Sequence, residues 1–271
     1  MIIEAFIRWI ETARAADRAN AAGALARAFL RPDLADEQRH AALLAMSHLL
    51  DDPSPQVRLS LAQALAGSQQ APRTIMIALA EDQPEIACTV VALSPVLSDG
   101  DLVDLAARGD PLMRGIVAAR KGLSRSVSAA LAEVGCEGAA IMLLENDTAT
   151  ISGRSLSRIA ERLGHCAVIR RLLLERSDLP ADARQNLVVQ VSDALAGSGL
   201  VRMVLTQPRL DRLTGEACET ASVAIAGDVS SGELPALVEH FRVKGKLTPA
   251  LLIQALCAGK VDFFSHAMGA L

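Results

Sequence analysis

The densest chemistry in this chain is cationic. Arg154, Arg158 and Arg162 stand four residues apart, and Arg170 and Arg171 follow, with Arg176 beyond. On a helix, the spacing i, i+4, i+8 puts the first three in one row. A row of guanidinium groups suits recognition of carboxylates or phosphates, because each fork presents paired N–H donors. The five residues Arg154, Arg158, Arg162, Arg170 and Arg171 are therefore the candidate partner-binding patch, and they point to an acidic partner. The same spacing also describes a solvated helix face, and Glu161 and Glu175 lie near enough in sequence to neutralise it.

Other reactive residues are scattered. His40, His48, His165, His240 and His266 are far apart, and His40 and His48 would stand about two turns from one another on one helix, too far to share a metal ion without further ligands. His165-Cys166 invites a nucleophile–base reading, but adjacent helix residues diverge by about 100°. Cys88, Cys136, Cys166, Cys218 and Cys257 form no C-x-x-C pair. An odd, dispersed count in aliphatic surroundings reads as inert, buried thiols in a reducing compartment. No G-x-G-x-x-G, G-x-x-x-x-G-K-[ST] or G-x-S-x-G string occurs. The expectation is a chain without catalytic residues, metal or cofactor.

The elements that carry these residues announce themselves in "DDPSPQVRLSLAQALAG", Asp51–Gly67. Asp52-Pro53 cannot be helix interior, and Pro55 disfavours helix at Ser54. Ser54 is placed to cap with its hydroxyl, Pro55 suits the first helical position, and Gly67 suits a left-handed stop. The pattern recurs in weaker form. Asp52, Asp82, Asp110, Asp147 and Asp178 follow one another at intervals of 30, 28, 37 and 31 residues. That period is one helical hairpin and indicates stacked repeats. Arg58, Arg114, Arg154 and Arg184 follow four of these turns, so an aspartate in a turn and an arginine in a helix can bridge neighbouring repeats. The stretch 52–58 nearly spells the D-x-x-P-x-V-R opening of HEAT-type second helices, which it resembles.

Composition agrees with close-packed helices. The 271 residues are 51% hydrophobic but only 2% aromatic, with no Tyr and one Trp. No convincing period-2 segment is present, so the expected fold is all-α. It is a HEAT-like α-solenoid of stacked helical hairpins over 1–196, followed by a C-terminal helical subdomain over 200–271. "LAGSGL" at 195–200 marks the joint, since the aspartate period is lost beyond it. The last residues, "FFSHAMGAL", carry neither polar tail nor C-cap, which suggests a longer parent chain. In "SDGD", Ser98 and Asp101 can form a capping box. The N-terminal segment carries Glu4, Arg8 and Glu11 within its apolar pattern and reads as an amphipathic helix, not a signal peptide. No apolar run approaches the roughly 18–20 residues that span a bilayer, and the expected location is the cytoplasm. A net charge of −4 argues against nucleic-acid binding by bulk charge.

The strings at Ser94–Leu102, Gly122–Leu131, Asp178–Leu187 and 247–264 are similar to a bacterial family of unknown function that is common in alphaproteobacteria. The resemblance covers nearly the whole chain and implies an all-helical, HEAT-like fold without implying an activity. One departure is Lys121-Gly122, where members often carry Arg-Pro, a change expected to loosen a turn.

Two functions follow from these expectations. The first is a non-catalytic scaffold or adaptor for a protein partner in bacterial signalling or regulation, since a solenoid offers a long surface and needs no catalytic groups. The second is a small-ligand sensor or enzyme with a pocket between the repeat region and the C-terminal helices, a favoured place for small molecules. The state of self-association is left open.

Overall fold

The computed structural model describes residues 2–271; Met1 and the side chains of Ile2, Ile3 and Glu4 lie outside the described residues. It is all-helical, with 18 α-helices and no strand among the described residues. Two compact units, Met1–Thr150 and Ile151–Leu271, divide the chain. The joint expected at 195–200 separates two helices inside the second unit instead.

The first unit contains α1 (Ile2–Thr12), α2 (Ala15–Phe29), α3 (Asp36–Leu49), α4 (Pro55–Leu65), α5 (Arg73–Ala80), α6 (Pro84–Leu93), α7 (Asp99–Arg108), α8 (Pro111–Ala119), α9 (Arg125–Val134) and α10 (Glu137–Leu144). Within it α2 packs on α4, α4 on α6, α6 on α8 and α8 on α10, while α1 packs on α3 and α7 on α9. The tight approach of α2 to α4 follows from side-chain size. Ala22, Ala26 and Ala62 are fully buried, and a Cβ on Gly23 would lie 3.7 Å from the Ser60 carbonyl oxygen. Small residues let two backbones come close, and dispersion then acts over many atom pairs.

The second unit contains α11 (Gly153–Leu163), α12 (Ala167–Leu174), α13 (Ala181–Gly197), α14 (Gly199–Val204), α15 (Gln207–Asp228), α16 (Leu234–Val243), α17 (Pro249–Cys257) and α18 (Val261–Ala270). Here α11 packs on α13, α13 on α15, α15 on α17, and α16 and α17 on α18. Its core includes Val223, Ile225, Leu237, Val238, Leu251 and Ala255, together with Phe241 and Phe263 meeting edge to face at 5.9 Å between ring centroids. Helices α16 and α17 end in left-handed Gly245 and Gly259. The amides of Lys246 and Lys260 donate back to the Phe241 and Ala255 carbonyls, which satisfies carbonyls that the helix ends leave free.

Several local expectations need correction. Ser54 is the N-cap of α4, but its hydroxyl accepts no cap bond: the Val57 amide donates to the Ser54 carbonyl at 3.1 Å instead, and Asp52 Oδ1 accepts the Ser54 amide at 2.8 Å. Gly67 is not left-handed, since the positive-φ glycines are Gly122, Gly245 and Gly259. Gly122 does not loosen its turn: at φ 69° it takes the conformation that only glycine adopts freely, and its amide donates to Thr148 Oγ1 at 2.9 Å. The N-terminal helix breaks at Arg14, which is extended, with no glycine or proline to announce it. The capping box of Ser98 and Asp101 is present, and Asp110 Oδ1 accepts the Met113 amide at 2.8 Å as the N-cap of α8.

Candidate functional site

The turn aspartates and the arginines around them build an internal framework. Arg18 on α2 grips Asp52 with two hydrogen bonds, Nε to Oδ2 at 2.7 Å and Nη2 to Oδ1 at 2.9 Å. Arg58 on α4 grips Asp82 in the same way, at 2.6 and 3.0 Å. The arginine of one helix thus reaches the carboxylate that stands before the next helix but one, Arg18 of α2 that before α4 and Arg58 of α4 that before α6. Arg58 also donates to the Asp52 carbonyl, which joins the two pairs. The hydrogen bonds from Arg18 hold the Asp52 carboxyl below the usual carboxylate range, against the opposing effect of burial. Burial pushes Asp82 upward, but the bonds from Arg58 and the Gln83 amide more than offset it, so its pKa is also lowered.

A second device is common to many of the helices. Arg18, Arg39, Arg58, Arg114, Arg170, Arg184 and Arg202 all occupy the fourth position of their helices. Each donates backward to carbonyls at the end of the preceding segment: those of Ala13, Phe29 and Arg31, Asp52, Ala106 and Ala107, Gly164 and His165, Leu179, and Ala196 respectively. A cation there satisfies free carbonyls and meets the negative end of the preceding helix dipole. Arg120 does related work over a longer distance. It donates to the Val91 carbonyl at 2.6 Å and to the Ser94 carbonyl, and burial lowers its pKa.

The remaining turn residues behave individually. Asp178 pairs with Arg176 at 2.8 Å and not with Arg184. At the fourth turn the work is done by Asn146, whose Nδ2 donates to the Ala118 and Arg120 carbonyls at 2.8 and 2.7 Å, beside Asp147.

The arginine row divides. Arg154, Arg158 and Arg162 lie on α11; Arg154 is exposed, and Arg158 meets Glu161 at 3.4 Å. On α12, Arg170 is turned back to the Gly164 and His165 carbonyls just beyond α11, and Arg171 is exposed with Glu175 at 3.9 Å.

Each unit holds a cavity. One, of about 350 Å³, lies in the first unit and is lined by Glu81, Cys88, Leu105, Arg108, Asp110 and Met113. The other, of about 400 Å³, lies in the second unit between α13, α15 and the start of α17, and its lining includes Gln185, Asp193, Asp211, Glu219 and Lys246. Among the described residues no group of three or more His, Cys, Asp or Glu is arranged to hold a metal ion. Half-buried His240 has its pKa lowered by burial, so its imidazole is neutral at pH 7.

The cysteines are free, and they are not uniformly buried: Cys257 is exposed and the other four are half-buried. Burial, with help from Asp110 and Glu85, pushes the Cys88 thiol upward. Thiol reactivity follows the thiolate fraction and access. A disulfide reagent at neutral pH is therefore expected to label Cys257 first and Cys88 slowly, with the order read by peptide mass spectrometry. Labelling of Cys88 ahead of Cys257 would contradict this placement.

The chain is thus an all-helical protein whose turns are tied together by arginine–aspartate pairs and backward-reaching arginines. It belongs to the family described as uncharacterised protein conserved in bacteria (DUF2336), whose model matches residues 86–271. No curated protein and no solved structure matches the chain. Among the described residues no helix is long and apolar enough to cross a membrane.

Proposed function

We propose that the protein is a non-catalytic interaction scaffold whose first unit is a HEAT-like α-solenoid, acting in the bacterial cytoplasm in signalling or regulation. The observation that carries this reading is the order of contacts α2–α4–α6–α8–α10, in which every second helix packs on the next. Such a succession makes one layer of parallel rows and leaves its outer face free for a partner. Leu93, Leu112 and Met142 on those helices are exposed, and exposed apolar side chains in one layer favour protein contact. Free cysteines accord with a reducing compartment.

The second unit supplies the cationic patch of this reading. Arg154, Arg158, Arg162 and Arg171 are the residues through which an acidic partner would be steered, in a field that weakens with salt. The double variant Arg158→Glu, Arg162→Glu is expected to stay folded, because partly exposed pairs contribute about 0–1 kcal/mol. It should lose acidic proteins captured from the native cytoplasm by the wild type, as read by affinity purification and mass spectrometry. A folded variant that retains every partner removes the arginine row from the reading. A wild type that captures nothing reproducibly removes the scaffold itself.

A further inference from the structure

Helix α14 buries none of its residues. Six residues are too few to hold a helix in water by propensity, since isolated helices shorter than about 12–15 residues are marginal. Its side chains are also the wrong kind for solvent. Leu200, Met203 and Val204 are 78%, 85% and 82% exposed, and Leu195 and Leu213 on the flanking helices are exposed too. The first half of α15 is equally bare: from Gln207 to Ala217 only Leu210 is buried. A group of exposed apolar side chains of this kind marks a contact with another molecule.

Charge and extent say which molecule. Over residues 193–217 the charged side chains are Asp193, Arg202, Arg209, Asp211, Arg212 and Glu216, three of each sign. A face without net charge favours neither an acidic nor a basic partner, and it lacks the cationic excess that draws a helix to anionic lipid. It does complement itself. Arg212 meets Glu216 within α15 at 3.5 Å, Arg202 turns back to the Ala196 carbonyl, and Asp211 accepts from Gln207. The side chains of Asp193 and Arg209 make no ion pair among the described residues. One unpaired anion and one unpaired cation on the same face suit a two-fold contact, in which each copy supplies the partner for the other's charge. In extent, 19 of the 25 residues 193–217 are exposed. A standard interface takes about 20–30 residues from each side, so this one segment supplies nearly all of it.

We propose that α14, with the end of α13 and the start of α15, is the surface through which two copies of this chain form a symmetric dimer. Leu200, Met203 and Val204 of the two copies cover one another, which gives α14 the packing that it lacks in a single chain. Arg209 of each copy meets Asp193 of the other. The dimer surface is separate from the arginine row of the scaffold reading, and either can fail without the other.

Light scattering on the full chain after gel filtration tests it. At about 50 µM, well above a micromolar dissociation constant, the wild type should show twice the mass of one chain. Leu200→Glu with Met203→Glu should show the mass of one chain and keep the helical circular dichroism of the wild type, since both side chains are exposed in the single chain. Exchange of charge tests the pairing. Asp193→Arg and Arg209→Asp each set like charges against one another, and each should weaken the dimer at least tenfold. Mixed in equal amounts, the two variants should dimerise again, because each then meets the opposite charge. The proposal is overturned if the wild type has the mass of one chain at this concentration, or if the Leu200, Met203 variant remains a dimer. It is equally overturned if the mixture associates no more tightly than either charge variant alone. A single-chain wild type that floats with vesicles of phosphatidylglycerol and phosphatidylethanolamine, in a manner abolished by Met203→Glu, would assign the face to lipid and overturn the dimer. A single-chain wild type that retains one other protein through Met203 would do the same in favour of that protein.

Discussion

Replacing Asp52 with alanine is expected to destabilise the protein by about 3–5 kcal/mol, the usual cost of removing one partner from a buried pair. The Asp52 side chain is 2% exposed, and it holds both Arg18 and the Ser54 amide. Its loss leaves the Arg18 guanidinium with only the Ala13 carbonyl to receive its bonds and frees a backbone donor. A loss of this size should appear as a fall of roughly 10 °C in melting temperature for a chain of this length. Asp52→Asn keeps the shape and the acceptor for Ser54 and should fall less. The pair also sets a pH dependence. The carboxyls of Asp52 and Asp82 have folded pKa values below those of the unfolded chain. Their contribution is complete above the unfolded value of about 3.9 and is lost as pH falls through the folded values. Wild-type stability should therefore drop steeply below about pH 4, and the Asp52→Ala curve should be flatter there. Equal acid slopes in the two proteins would show that the carboxyl is not held low.

Phe241→Ala should have an effect of similar size, about 3–5 kcal/mol, by removing a large buried ring. Phe241 is 1% exposed, meets Phe263 edge to face, and walls the acidic cavity. The cost combines lost transfer energy with the void left between α16 and α18, which neighbouring helices can only partly close. Urea unfolding should give a lower midpoint with an unchanged slope. Phe241→Leu, which fills part of the void, should lie between the two. A Phe241→Ala midpoint within error of the wild type would mean that this ring does not hold the second unit together.

Much of the site is hidden from a reading of the chain for a particular reason. The notable arginines by spacing are Arg154, Arg158 and Arg162; Arg18, Arg39 and Arg120, which reach a carboxylate or carbonyls across turns, belong to no row. A usable signal exists in the fourth-position arginine, which recurs from Arg18 to Arg202. It is visible only once the helix starts are known to within one residue, and Arg14 shows how a start can lack any marker. The acidic cavity is less legible still. Asp193, Asp211 and Glu219 lie on two helices with no common motif, and Lys246 comes from a loop beyond a third.

What the sequence determined by itself is the helical character of the chain, the joints at Asp52-Pro53 and Asp110-Pro111, and the caps at Ser98 and Asp110. Each depends on a residue and its neighbours within one helical turn, where chain geometry leaves few alternatives. Only the tertiary structure decided that Arg18 takes Asp52 and Arg58 takes Asp82, across 34 and 24 residues of chain. It alone divided the chain after Thr150 and brought Gln185 and Ser222 together beneath a cavity. A long side chain reaches several carboxylates equally well in an extended sequence. Which one it meets is set by how closely alanine-lined helices approach, and that distance is a property of packing and not of spacing.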